Sequence, residues 1–238
     1  MSGQDDAAAF DWRDIAFVVF DVDGTLYDQA RLRRRMAAEL LLHCARTLSL
    51  DAIEVLRHYR RFRERLAEQE REDFEPKLVE MTAERARRTP AQVQALVAEW
   101  IERRPLRRLA ACRYEGLPAL FAALKAGGKT IGVLSDYSAE DKLKALGLEA
   151  DLVAAAGDPQ VCVMKPHPRG LQVLMERAKA APATTVMIGD RAERDGAAAR
   201  RAGAQVLIRS TSRLEGFPTF ARYDGPPFAP LLGANRGG

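Results

Sequence analysis

The chain has 238 residues, 47% hydrophobic and 29% charged, with a net charge of +4. That is long enough for one large domain or for a core with a smaller companion, and no apolar run approaches the ~18 residues that span a bilayer. Cys44, Cys112 and Cys162 fit neither a disulfide framework nor a zinc site, and acids stand where a secretion signal carries bases, so reduced thiols and a cytoplasmic location are expected.

The first element is "FVVFD", a continuous apolar run at Phe17–Asp21 that predicts a strand buried on both faces. From Gln29 to about Arg108 the pattern changes to helical period. "LRRRMAAELLLHCARTL" and "AIEVLRHYRRFRERLAEQE" place apolar residues three or four apart, and "TPAQVQALVAEWIERR" opens on Thr89-Pro90, a helix-start signal. Between Arg31 and Arg113 there are 20 basic and 13 acidic residues, so the positive excess belongs to this segment. Two readings stay open: a solvated helical surface, or a positive lid over an anionic substrate with Arg31, Arg33, Arg34 and Arg35 foremost.

After Gly116 strands and helices alternate. "LPALFAALKAGG" predicts a helix stopped by Gly127 and Gly128. "TIGVLSD" predicts a strand, and "SAEDKLKALGL" a helix capped by Ser138. A short strand is expected near Leu152–Ala155, a helix at "PRGLQVLMERAKA", a strand at "TVMIGD", a helix at "AERDGAAARRAG" and a strand at "AQVLIR". Such alternation implies parallel βαβ units. The Gly- and Pro-rich tail from Phe217 is expected to be irregular, with mobile last residues.

Three of these strands end in chemically capable side chains. Asp21 and Asp23 close the first, Ser135 the second, and Asp190 follows "VMIG", with Asp195 five residues on. "MKPHP" places Lys165 in a loop before a helix. Ligands of open α/β sheets bind at the carboxyl ends of strands. Adjacent carboxylates repel, and each is costly to desolvate, so Asp21 and Asp23 need a cation, a shared proton or a chemical task.

In this order the motifs resemble the haloacid dehalogenase superfamily: Asp21-Val22-Asp23-Gly24-Thr25, then Ser135, then Lys165-Pro166, then Gly189-Asp190 with Asp195. The resemblance implies a Rossmann-like α/β core, a parallel sheet with helices on both faces, formed by residues 1–28 and 114–238. An all-helical cap at 29–113 would lie where C1-type caps of that family are inserted. It implies Asp21 as nucleophile and Asp23 as general acid/base. Ser135 and Lys165 would steady the phosphoryl group. Asp21, the Asp23 carbonyl and Asp190 would hold Mg2+, with Asp195 at the metal site as a water-mediated ligand or a positioning partner. Gly24 and Thr25, with the neighbouring Asp136 and Arg191, are candidates for phosphate contact.

The dehalogenases of that family lack an acid at the position of Asp23. The expectation is therefore a Mg2+-dependent phosphomonoester hydrolase acting through an aspartyl-phosphate on a small phosphorylated metabolite. Alternatives are a phosphomutase, a phosphatase of a lipid-linked substrate at a membrane surface, and a non-catalytic phosphate-binding module. Neither a nucleic-acid nor a membrane partner is expected.

Overall fold

The computed structural model describes residues 10–234. The acidic start of the chain and the expected mobile end therefore fall partly outside the described residues. Strand β1 (Phe17–Phe20) is wholly buried. Helices α1 (Gln29–Thr47), α2 (Asp51–Glu68), α3 (Phe74–Ala86), α4 (Pro90–Val97) and α5 (Arg104–Leu109) follow, and a π-helical turn at Ala98–Arg103 joins the last two. Then come α6 (Leu117–Ala126), β2 (Thr130–Ser135), α7 (Glu140–Leu146), β3 (Leu152–Ala155), α8 (Arg169–Ala178) and β4 (Thr185–Gly189). A π-helical turn at Ala192–Gly196 leads into α9 (Ala197–Arg201), β5 (Gln205–Arg209), β6 (Thr219–Phe220) and α10 (Ala229–Ala234).

The sheet has six parallel strands in the order β3-β2-β1-β4-β5-β6. It is an α/β Rossmann-like fold. Strand β1 sits where the order reverses, between β2 and β4, so a crevice opens at its carboxyl end. Phe20 pairs with both Val133 and Ile188. That register brings Asp21, Ser135 and Asp190 out at one edge of the sheet.

Successive residues of β1 serve opposite faces. Val18 and Phe20 pack with Leu120, Phe121 and Leu143 on one side. Phe17 and Val19 pack with Leu171, Leu174 and Ala199 on the other. Both faces are covered by helices, which is why the strands read as unbroken apolar runs. The helices between β1 and α6 gather a further cluster around Val55, Phe74, Leu78 and Val93. Thr89 accepts from the Gln92 N–H while the Gln92 side chain accepts from the Thr89 N–H, with Pro90 in the first turn. No helix among the described residues is long and apolar enough to cross a membrane.

Two local expectations need correction. The tail is not irregular: β6 extends the sheet, and Tyr223 and Phe228 are buried beside Trp12, whose indole N–H donates to the Pro227 carbonyl at 2.9 Å. Nor does Ser138 cap α7. Its hydroxyl donates to the Glu140 carboxylate, which also accepts from the Ala139 N–H, and the helix starts after Ala139.

Candidate active site

The buried edge of the sheet gathers the predicted side chains. Asp21 is 6% exposed, Lys165 4%, Asp195 1% and Ser135 1%. The Lys165 ammonium donates to Asp21 and, at 2.7 Å, to Asp195. The Thr25 hydroxyl donates to the other Asp21 oxygen at 2.9 Å. Asp195 Oδ2 accepts the backbone N–H groups of Asp190 and Arg191 at 3.1 and 3.0 Å, so the last loop is folded around this carboxylate. Ser135 Oγ accepts the Tyr137 N–H at 3.2 Å.

Two glycines make this closeness possible. A Cβ on Gly24, which sits at φ +96°, would lie 2.0 Å from Asp190 Oδ2. One on Gly189 would lie 2.3 Å from the Asp195 side chain. Larger residues at either place would push the carboxylates apart.

Asp21, Asp190 and Asp195 each offer an oxygen within 4.8 Å of the others'. Against three carboxylates this cluster holds one ammonium, that of Lys165. Burial raises Asp21 well above the ordinary carboxylate range, against the pull of Lys165, and Asp195 and Asp190 add to the rise. Burial, then the Asp195 charge, pushes Asp190 up to about 7. Asp190 Oδ1 is buried with no hydrogen-bond partner. An orphaned acceptor among excess carboxylates fits a divalent cation with oxygen ligands.

Asp23 stands apart from that cluster. Both its carboxylate oxygens accept from Lys142 Nζ, at 2.7 and 2.8 Å, and Oδ1 also accepts from the Tyr27 hydroxyl. Burial alone would raise its pKa, but the Lys142 charge and these hydrogen bonds outweigh burial and hold it below its ordinary value. Burial, and then Asp23 itself, pushes the Tyr27 hydroxyl well up, so the phenol stays a neutral donor.

The carboxylates face a cavity of about 270 Å³ whose walls come from the sheet edge and from the helices between β1 and α6. Asp136 and Arg191 line it but are also engaged elsewhere. Asp136 Oδ1 accepts the Lys165 N–H at 3.2 Å, bracing the lysine loop, and Arg191 pairs with Glu193 at 2.9 Å and Glu64 at 3.4 Å. Of the four arginines after the first motif, Arg33 alone lines the cavity. Arg60 and Arg63 of α2 line it as well.

A family model described as a haloacid dehalogenase-like hydrolase matches residues 15–203. The chain belongs to the haloacid dehalogenase-like hydrolases. Solved structures with this fold include a 2-haloacid dehalogenase from Pseudomonas syringae pv. Tomato DC3000, at 22% identity and a TM-score of 0.63, covering 93% of this chain and 99% of that one. The HAD-hydrolase YfnB from Bacillus subtilis, bound to magnesium, matches at 14% identity and a TM-score of 0.64, covering 88% and 96%. CbbY from Rhodobacter sphaeroides, in complex with phosphate, matches at 20% identity and a TM-score of 0.59, covering 88% and 95%. Identities this low convey the fold alone. No curated protein matches the chain.

Within this haloacid dehalogenase-like site, the sequence motifs omit three basic side chains. Lys142 is one. Arg63 is 6% exposed; it donates to the Asp136 carbonyl and lies 3.9 Å from the Tyr137 ring centre. Arg194, 5% exposed, donates to the Lys165 carbonyl at 2.7 Å and pairs with Glu64. A signal for two of them was present. Lys142 shares a helix face with Ala139 and Leu146, and Arg63 shares one with Leu56, Tyr59 and Leu66. A cation in an apolar stripe is a buried cation, and buried cations are paired.

Proposed function

We propose that this protein is a divalent-cation-dependent phosphomonoester hydrolase working through an aspartyl-phosphate. The observation that carries the reading is the division of labour between two carboxylates two residues apart. Asp21 sits in the lysine-bridged cluster, and Asp23 is held outside it by Lys142 and Tyr27. A nucleophile and a proton carrier must be distinct groups within reach of one phosphoryl centre.

Mg2+ held by Asp21, Asp190 and Asp195, with the Asp23 carbonyl, would supply positive charge to offset the substrate dianion. An Asp21 oxygen attacks phosphorus as the ester P–O bond breaks, and Asp23 in its acid form gives its proton to the departing alkoxide. Water then attacks the aspartyl-phosphate and gives a proton to the Asp23 carboxylate. The P–O bond to Asp21 breaks, releasing inorganic phosphate and leaving Asp21 as a carboxylate and Asp23 in its acid form. Lys165 steadies Asp21 and the transferring group, and Ser135 Oγ donates to a phosphoryl oxygen. Without substrate Asp23 is ionised, so its acid form arises only as a phosphate dianion arrives beside it and raises its proton affinity.

In this reading residues 29–113 are the cap. It covers the site during the first step and reopens for water and product. Halide displacement from a haloacid would leave Asp23 without its acid role, because a departing halide needs no proton. The test is a panel of phosphomonoesters with Mg2+, read as phosphate released, beside 2-chloropropionate read as halide released. Phosphate release with kcat/KM above ~10⁴ M⁻¹s⁻¹ on some ester is expected. Halide release without phosphate release overturns the reading.

A further inference from the structure

The cavity is two-sided. Its carboxylate end is ringed by cations. Lys142 and Lys165 are joined there by Arg33 and Arg60, which lie near enough to Tyr27 and Tyr137 respectively for their charges to act on those hydroxyls. No ion pair is formed by Arg33 or Arg60 among the described residues. Their positive charge faces the cavity without a salt-bridge partner.

Much of the wall contributed by the helices between β1 and α6 is hydrocarbon. Met36 and Leu40 lie on one stripe of α1 with Leu32, four residues apart, and all three line the cavity. Leu56 of α2, Trp100 and Ile101 of the π-helical turn, and Leu106 of α5 complete that wall. Leu40, Ile101 and Leu106 are only partly buried, so apolar surface remains open to the cavity. Among the described residues no serine, threonine, asparagine or histidine side chain lines the cavity, and the helices between β1 and α6 contribute one neutral amide, Gln29. The other polar groups that these helices bring to the cavity are the charged Arg33, Arg60, Arg63, Glu64 and Glu102, so sugar hydroxyls laid against Met36, Leu40, Leu56, Trp100 and Leu106 would meet no partner there, and each unpaired one costs free energy. An apolar body would instead displace water from surface that gains by losing it.

We infer that the natural substrate is a phosphomonoester of an apolar alcohol, with its hydrocarbon or aromatic body against Met36, Leu40, Leu56, Trp100 and Leu106. The inference takes the anionic head from the phosphatase reading and the body from the wall itself. The cavity volume of about 270 Å³ suits a compact body, near the lower end of the ~300–1,000 Å³ of small-molecule sites. The same wall disfavours a phosphomutase, whose substrate must present a hydroxylated sugar in two orientations.

The test is a series of n-alkylphosphonates from methyl to hexyl, bound to the full chain with Mg2+ and measured by calorimetry. Phosphonates keep the dianionic head constant and are not hydrolysed, so binding is read apart from turnover. Affinity should rise with each added methylene, towards the ~4-fold limit that corresponds to ~0.8 kcal/mol per buried CH₂. Propylphosphonate should bind more tightly than 2,3-dihydroxypropylphosphonate. Leu40→Asn and Leu106→Asn should each flatten the chain-length dependence. The wild-type series decides alone if either variant fails to fold. Affinity that is flat or falls with chain length, or a preference for the dihydroxy compound, overturns the inference. Absence of phosphate release from every ester would sink the hydrolase reading, while the phosphonate series would still decide the nature of the wall.

Discussion

Lys142 Nζ lies 2.7 and 2.8 Å from the two carboxylate oxygens of Asp23. Both side chains are nearly enclosed, at 10% and 16% exposure. A buried ion pair of this geometry sets a charge state more than it adds stability, because desolvating both groups offsets much of their attraction. Here it keeps Asp23 ionised, the form that the proposed second half-reaction requires.

Lys142→Met should therefore act on the proton and not on the nucleophile. Asp23 keeps the Tyr27 hydrogen bond but loses its cation, and its proton affinity rises. With p-nitrophenyl phosphate, whose leaving group needs little help, kcat should fall ~10²-fold at neutral pH and its acid limb should move to higher pH. Formation of the aspartyl-phosphate should suffer less than its breakdown. The measurement is the pH profile of kcat with single-turnover trapping, and an unshifted profile would reduce Lys142 to a packing element.

The sequence showed β1, β2 and β4 clearly because they are buried on both faces and each ends at an acidic residue or just before one. Leu152–Ala155 emerges within the predicted limits. The tail was harder to read. Tyr223, whose hydroxyl donates to the Thr25 carbonyl at 2.7 Å, props the first motif from 198 residues away, and no local period announces such a contact. The motif carboxylates were legible from their positions at strand ends. Lys142 and Arg63 were legible as buried cations from their apolar helix faces, but their partners, Asp23 and the Asp136 carbonyl, were not, because they lie 119 and 73 residues distant. The arginine run left two readings open, and its members divide between them: a helix turns 100° per residue, so of the four side chains Arg33 alone lines the cavity.

Asp21→Asn keeps the shape of the carboxyl and removes its charge, and should cost at least ~10³-fold in turnover. Asp23→Asn should lose more on alkyl phosphates than on p-nitrophenyl phosphate, since an alkoxide needs the proton that nitrophenolate does not. Equal losses on the two substrates would assign Asp23 to charge balance instead of proton transfer.

The arginines separate into two sets. Arg33→Ala and Arg60→Ala should raise KM several-fold for a phosphomonoester dianion, and the salt dependence of kcat/KM should weaken, because unpaired cations facing the cavity attract the anion. Arg31 and Arg34 are exposed and do not line the cavity, so their alanine variants should match the wild type in both measurements. Similar KM shifts in both sets would mean long-range steering by the helix surface, without contact.

Metal binding and pH should be linked through Asp190. Its carboxyl titrates at about 7 in the metal-free fold, against an ordinary 3.8, because burial and then Asp195 oppose its charge. The folded state thus holds a proton that the unfolded chain has lost, so this group's contribution makes the metal-free protein less stable as pH rises from ~4 to ~7. A divalent cation in the same place competes with that proton, and below pH 7 its apparent affinity should drop roughly tenfold per unit. Magnesium at about 100 times its dissociation constant at pH 8 should stabilise by ~2.7 kcal/mol. That corresponds to a rise of ~5–10 °C in Tm for a chain of this size. At pH 5 the same concentration should give only about 1–2 °C. Asp190→Asn imitates the protonated state, so it should raise the metal-free Tm at pH 8 and abolish the magnesium shift. Thermal melts of both proteins at the two pH values, with and without Mg2+, decide the matter. A magnesium shift independent of pH, or one that survives Asp190→Asn, would remove Asp190 from the metal site.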